Sequence, residues 1–368
     1  MRYLMVLFNI FFLLLSSTTA FSDEQFKVYD SARALGRGDT NVAAFDSDEA
    51  AFFNPATLSE AKSITWQLRF FQLDAFVGEN LIDTVDDIMD MKEGSTLGVL
   101  ETLAEKFGQR QYAKVQYIPF ALRIKSFEIS PFFTSSNFAE ARSPVAPDME
   151  FRSDTIAGMN LSLGLEATKG MHFGVTVRPM HRTLFQGKMD IGDVINLLAE
   201  SEAELGDVFQ EKQATYVGLN LGWVWNASKE LRFGATADNI GFASNQGEFD
   251  NAADPLSQRI SLGMNYRIDL KPWHWDFALD LQDVVNPENY NYLRLIHMGT
   301  EIGTSYLSRD NDAGFLLGIN EGYLTTGAYA DVFLGRLGLT YYAVELGEYP
   351  GQRKDRRYAL TIQTAMTF

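Results

Sequence analysis

The last residues of the chain alternate without a break. Tyr358, Leu360, Ile362, Thr364, Met366 and Phe368 fall on one side, and Arg357, Ala359, Thr361, Gln363, Ala365 and Thr367 on the other. A two-residue period is the signature of a strand with one apolar and one polar face. The same pattern opens at Ile64, Trp66, Leu68 and Phe70, alternating with Thr65, Gln67 and Arg69. Twelve further segments read as strands, near 112–124, 127–135, 155–167, 171–182, 214–227, 231–239, 258–269, 273–281, 292–306, 314–320, 322–332 and 336–346. The total is 14, an even number as in single-chain bacterial barrels, and most segments reach the ~9–11 residues that cross a bilayer.

The connections sort by length. Residues 125–126, 168–170, 228–230, 270–272, 307–313 and 333–335 are short, whereas 72–111, 136–154, 183–213, 240–257, 282–291 and 347–355 are long. A tight link near Glu321 breaks the rule. Short turns on one side and long loops on the other mark an outer-membrane barrel. The long loops are expected outside, with both termini on the periplasmic side. Apolar faces such as Met171/Phe173/Val175/Val177, Leu219/Leu221/Trp223/Trp225 and Trp273/Trp275/Phe277/Leu279 are expected to meet lipid. His172, Arg178, Asn220, Arg259, Arg267, Asp276 and Asp280 on the partner faces are expected to point into the lumen. A soluble barrel would reverse the faces.

The fold class is therefore all-β: a transmembrane antiparallel β-barrel of about 14 strands, with an N-terminal hatch and helical outer loops. Residues 1–20 read as a signal peptide, with Arg2 before an apolar Leu4–Leu15 run interrupted at Asn9. Residues 21–62 are assigned to the hatch and 63–368 to the barrel. The destination is the outer membrane of a Gram-negative bacterium, in contact with lipid and lipopolysaccharide. A net charge of −17 argues against nucleic acid, which needs clustered Lys and Arg. The chain has no cysteine, and its four histidines are scattered. No catalytic signature, metal-ligand spacing or cofactor motif stands out, so no enzyme activity, metal or cofactor is expected.

Two long loops carry helical periodicity. Leu81, Ile82, Val85, Ile88 and Met89 continue to Leu97, Leu100, Leu103 and Phe107 in the first; Ile191, Val194, Ile195 and Leu198 lead the third. Val85, Ile88, Leu100, Leu103, Val194 and Leu198 are candidates for an apolar groove at the outer mouth, or simply cap the barrel. Both loops are acidic: 72–111 holds nine Asp or Glu against three Lys or Arg, and 183–213 holds seven against two. Such a field repels anions at low salt.

Eight strands leave an interior that side chains fill, and 16–18 leave an aqueous channel. A 14-stranded lumen needs an occupant, and residues 21–62 are available. Within them lie Gly36 and Gly38, Asp46 and Asp48, Phe52 and Phe53, then Asn54-Pro55-Ala56 and Leu58. This stretch resembles the N-terminal hatch of the FadL-type long-chain fatty acid transporter family, which includes aromatic-hydrocarbon transporters. Thr57 stands where that family usually has Gly, and Gly36-Arg37-Gly38-Asp39 replaces its Gly-Met-Gly-Gly. PorV-type secretion shuttles and TraF-like outer-membrane proteins share the signature. The resemblance implies a passive channel for hydrophobic small molecules, with Asn54-Pro55-Ala56 holding the hatch turn and Phe52 and Phe53 lining an apolar path. Terminal Phe368 resembles the assembly signal of outer-membrane proteins, and that resemblance implies dependence on the barrel-assembly machinery.

In that family a kinked third strand opens the wall sideways. Pro119 and Pro131 are the counterpart here, placed almost opposite each other by the 125–126 turn, with alternation slipping between Tyr117 and Ile118. Tyr117, Pro119 and Pro131 are the candidates for a lateral opening. The alternative function is a non-transporting scaffold in secretion or surface assembly, binding proteins through its loops. A continuous apolar track from mouth to prolines favours transport; a hatch sealed by hydrogen bonds inside a closed wall favours the scaffold.

Overall fold

The computed structural model describes residues 26–45, 48–60, 66–90, 106–142, 148–190, 209–244, 253, 256–285, 291–304, 313–332, 335–347 and 349–367. Fifteen antiparallel segments form one sheet. They are β1 (Trp66–Gly78), β2 (Arg110–Ile118), β3 (Ala121–Ile124), β4 (Phe127–Arg142), β5 (Asp148–Thr168), β6 (Met171–Asp190), β7 (Phe209–Asn226) and β8 (Leu231–Ser244). The remainder are β9 (Arg259–Leu270), β10 (Trp273–Leu281), β11 (Ile296–Thr304), β12 (Ala313–Asn320), β13 (Tyr323–Val332), β14 (Gly335–Glu345) and β15 (Lys354–Thr367). β15 pairs with β1, from Gln67↔Thr367 to Gly78↔Arg357, and closes the ring. β2 and β3 are two pieces of one strand, both paired to β1 and both to β4, so the barrel has 14 staves.

The faces lie as the alternation predicts. Trp273, Phe173 and Leu262 point outward and are 51%, 46% and 46% exposed; His172, Arg178, Asn220, Asp276 and Asp280 point inward and are buried. Polar residues inside and apolar residues outside exclude the soluble alternative, in which the apolar face would be hidden. Among the described residues no helix is long and apolar enough to cross a membrane.

Several strands outrun their sequence-predicted ends. Residues 136–154 are not a long loop. β4 and β5 pair as far as Arg142↔Asp148, leaving only 143–147 between them. β6 continues from the expected 182 to Asp190, and β1 from 71 to Gly78. The reason is physical: above the lipid band both faces meet water, so period two disappears although the ladder continues. Residues 148–153 of β5 are half-buried on both faces.

Residues 26–45 and 48–60 lie within the ring. They comprise α1 (Ala32–Gly36), a 3-10 helix (Pro55–Glu60) and irregular backbone. Their polar contacts reach strands all round the wall: Gln116 of β2, Asp280 of β10, Glu301 of β11, Thr325 of β13 and Thr340 of β14. Only a segment inside the barrel can touch all of these. Lys114 of β2 donates to the Lys27 carbonyl at 2.9 Å. The first described residues thus sit in the half of the lumen nearer the long connections. β15 ends at the short-turn side, as expected; the N-terminal end falls outside the described residues. A second helix, α2 (Glu79–Asp90), follows β1 on the long-connection side.

Candidate functional site

The inner segment is irregular, so its backbone groups need partners from outside. Non-helical backbone at membrane depth is tolerated only where protein buries it. The wall provides arginines: Arg123 donates to Leu58 O at 2.9 Å, Arg178 to Ala51 O at 3.2 Å, Arg232 to Ala44 O and Arg69 to Asp48 O. Asp280 accepts from Asn41 N at 2.6 Å and Val42 N at 2.9 Å. Glu301, fully buried, pairs with both Arg33 and Arg37, and Arg336 reaches the Asp48 carboxylate at 3.0 Å. Each buried donor and acceptor paired this way avoids a desolvation penalty of about 1–3 kcal/mol.

Asn54-Pro55-Ala56 starts the 3-10 helix. The Asn54 side-chain oxygen accepts from Ala56 N at 3.1 Å, and Pro55 occupies the first helical position, where a missing N–H costs nothing. The Asn54 amide donates to Val42 O at 2.7 Å and to Trp223 O of β7 at 3.2 Å. One side chain therefore starts a turn, ties two stretches of the inner segment together and fastens them to the wall. Asn54→Ala is expected to lower stability by about 1–3 kcal/mol, read as a lower midpoint in heat-modifiable gel mobility. A midpoint equal to wild type would remove Asn54 from this role.

The wall approaches the inner backbone through glycines. Cβ atoms added at Gly174 (β6), Gly222 (β7), Gly299 (β11) and Gly318 (β12) would collide with Ala56 N, Asn54 Oδ1, Arg37 O and Gly38 N respectively. Gly174 faces Gly222, and Gly299 faces Gly318, across their ladders. Gly36 packs against Leu316 and Thr340, and Gly38 adopts φ 74°. That left-handed conformation follows α1 directly and suits glycine.

Phe52 and Phe53 belong to an aromatic cluster. Tyr29 stacks on Phe52 at 4.1 Å between centroids, and Phe53 lies edge-on to Tyr29 at 5.7 Å. Phe52 meets Phe132 of β4 edge-on at 5.5 Å. The cluster continues through Ile118 and Ala121 to Ile156 and Met180. The Tyr29 hydroxyl donates to Glu49 at 2.6 Å. Burial, with Asp74 and Glu49 beside it, pushes this phenol well above its ordinary pKa, so it stays a donor.

Ile118 and Ala121 flank the point where, among the described residues, one stave is split into two strands; the β5–β6 ladder also lapses, between Gly158↔Met180 and Leu161↔Val177. Ladder pairing between the second stave and β4 stops at Tyr117↔Phe133 and resumes at Leu122↔Ile129. Pro119 and Pro131 both fall in the gap, as the spacing predicts. The slip in alternation sits at Pro119-Phe120, because Ile118 is still buried and Ala121 is buried again. It is not between Tyr117 and Ile118, where the alternation of the sequence placed it. β1 has its own irregularity alongside, between Arg69 and Phe71. Phe70, Tyr117 and Phe120 cover the outer side of the gap and are exposed.

Of the groove candidates, Val85 lies exposed on α2 and Ile88 is in the same helix. Leu100, Leu103, Val194 and Leu198 fall outside the described residues, as does Asp46. Arg178 and Asp280 were read from sequence as lumen-facing; Arg123, Arg232, Arg336 and Glu301 were not singled out, although their inward phase in otherwise apolar strands was readable. Folding also brings His274, Asp276 and Glu301 together. Arg267 binds Asp276 through two 2.6 Å hydrogen bonds, and Arg33 and Arg37 hold Glu301, so these carboxylates are already compensated.

A cavity of about 100 Å³ remains on the long-connection side, bounded by Phe26, Lys27, Arg110, Lys114, Arg259 and Arg357 among others. A second of about 50 Å³ lies between Phe52, Phe53 and Val42 on one side and Arg178, Asp238 and Arg259 on the other.

Fold and site define a closed 14-stranded barrel whose lumen is occupied by its own N-terminal segment. Solved barrels share this fold. The toluene transporter TbuX of Ralstonia pickettii matches over 95% of this chain and 100% of its own, at 13% identity and a TM-score of 0.51. The monoaromatic hydrocarbon channel CymD matches over 94% and 99%, at 10% identity and a TM-score of 0.53. The P. putida toluene transporter TodX matches over 95% and 99%, at 13% and 0.51. At these identities the likeness is one of fold. No protein-family model matches the chain, and no curated protein matches it.

Proposed function

We propose that the chain is an outer-membrane channel for passive entry of small hydrophobic molecules. The observation that carries this reading is the apolar cluster from Phe52 through Phe132 to Ile118 and Ala121, which runs from the inner segment to the wall and ends at the gap beside Pro119. Residues 26–60, within the 21–62 assigned from sequence, act as the hatch. Ligand enters from the long-connection side, displaces the aromatic packing, and leaves sideways past Tyr117, Pro119 and Pro131 into lipid. The solved barrels of the same fold are toluene transporters and a monoaromatic hydrocarbon channel, which is consistent with this ligand class. The reading includes a cleaved leader at 1–20, insertion by the barrel-assembly machinery, a Gram-negative outer membrane with lipopolysaccharide facing the loops, and no catalysis.

The hydrogen-bonded hatch favours a second reading. Its anchors reach around the ring and the cluster is close-packed, as a non-transporting scaffold that binds proteins through its loops would require. Uptake separates the two. Cells expressing the chain are expected to accumulate labelled toluene well above vector controls. Ala121→Phe, which fills the inner side of the gap, is expected to return uptake to the control level at matched surface amounts. Wild-type uptake equal to vector would sink the channel and leave the scaffold.

A further inference from the structure

The lumen is not built for a plain hydrocarbon alone. Arg259 of β9 lines both cavities, which also share Lys27, Asp39 and Gln282. It is half-buried, and among the described residues its side chain makes no hydrogen bond or ion pair. Its electrostatic neighbours are Asp238, Lys27 and Arg178, two of them cations. Lys27 is already held by Asp39 and Gln282, and Arg178 by Asn160 and Ala51 O. Around the two cavities cations outnumber carboxylates, in a chain with 48 Asp and Glu against 31 Lys and Arg. The opposite wall of the smaller cavity is aromatic, formed by Phe52, Phe53 and Tyr29.

We infer that this paired cavity binds a small aromatic carboxylate, with the Arg259 guanidinium on the carboxylate and the ring against Phe52 and Phe53. The inference rests on the channel reading and narrows its ligand. Size limits the choice. The cavities hold about 100 and about 50 Å³, and a cavity of ~150 Å³ accepts a single benzene ring, so a long acyl chain does not fit. Chemistry limits it further. A guanidinium offers a planar fork of donors that matches a carboxylate, and a half-buried cation gains most from an anionic partner where water is scarce. An aromatic face completes the site by stacking.

The test uses the purified full-length chain in detergent, titrated calorimetrically with benzoate and with toluene. Physiological ionic strength is used because the acidic loops repel anions at low salt. Wild type is expected to bind benzoate more tightly than toluene. Arg259→Gln is expected to weaken benzoate about tenfold or more, the worth of one charge-assisted hydrogen bond, with toluene unchanged. Arg259→Lys is expected to recover part of the loss, and heat-modifiable gel mobility checks that each variant is folded. Benzoate binding no tighter than toluene, or unchanged in folded Arg259→Gln, overturns the inference. Flux into proteoliposomes is read separately. Arg259-dependent benzoate binding without flux sinks the channel and keeps the site, whereas toluene flux without benzoate preference sinks the site and keeps the channel.

Discussion

Gly299→Leu is expected to yield a folded barrel with an open lumen. Even a Cβ at this position would lie against the Arg37 carbonyl, well inside van der Waals contact, and a leucine adds three more carbons in the same direction. The ladder partners of Gly299 are Gly318 and Ala278, so the wall itself has room. What cannot stay is the stretch around Arg37, and with it the pairing of Arg37 to Glu301. A 14-stranded ring without its filling lies close to the 16–18 strands that leave an aqueous channel. Planar-bilayer conductance is therefore expected to rise from background to that of a water-filled pore, with the inner segment newly cut by added protease. Gly174→Leu, which strikes Ala56, is expected to do the same from the other side of the ring. A variant as closed and as protected as wild type would show that the segment yields locally without leaving.

Replacing Pro119 and Pro131 together with valine is expected to make the barrel more stable and less active. Proline has no N–H to give a ladder and is confined to edges and bulges in sheets. Valine restores the donors and suits a strand. Each hydrogen bond recovered contributes about 0.5–1.5 kcal/mol, and the gap between Tyr117↔Phe133 and Leu122↔Ile129 narrows. If the gap is the exit, toluene uptake falls toward vector levels while the thermal midpoint rises. Loss of function with a gain in stability is hard to produce by damage. Uptake that stays at the wild-type level while the midpoint rises would show that the gap is a tolerated irregularity and not a passage.

The barrel was legible because lipid and lumen impose opposite chemistry on successive residues. Trp273 and His274 are neighbours, yet one is half exposed to the bilayer side and the other buried. Where that contrast ends, the sequence falls silent, which is why the tops of β4, β5 and β6 were missed. The inner segment was legible as a turn, because Asn54 and Pro55 act locally. Its anchors were not, because Arg37 meets Glu301 from 264 residues away and Asn54 meets Trp223 from 169. No local period records such a meeting. The glycines of the wall were visible as composition, but only the fold shows that they are where a second backbone lies.

The closing ladder between β1 and β15 joins the two ends of the sheet. Residues 26–60 come before β1 in the chain and are gripped on most sides by wall arginines, carboxylates and glycines. A segment so closely fitted cannot be threaded into a finished ring that has no room to admit it. It has to be waiting within the curling sheet when the C-terminal strand arrives, so the order of assembly is written into the topology: occupant first, seam last. A defect in the inner segment would then surface as a barrel slow to close as well as one that leaks.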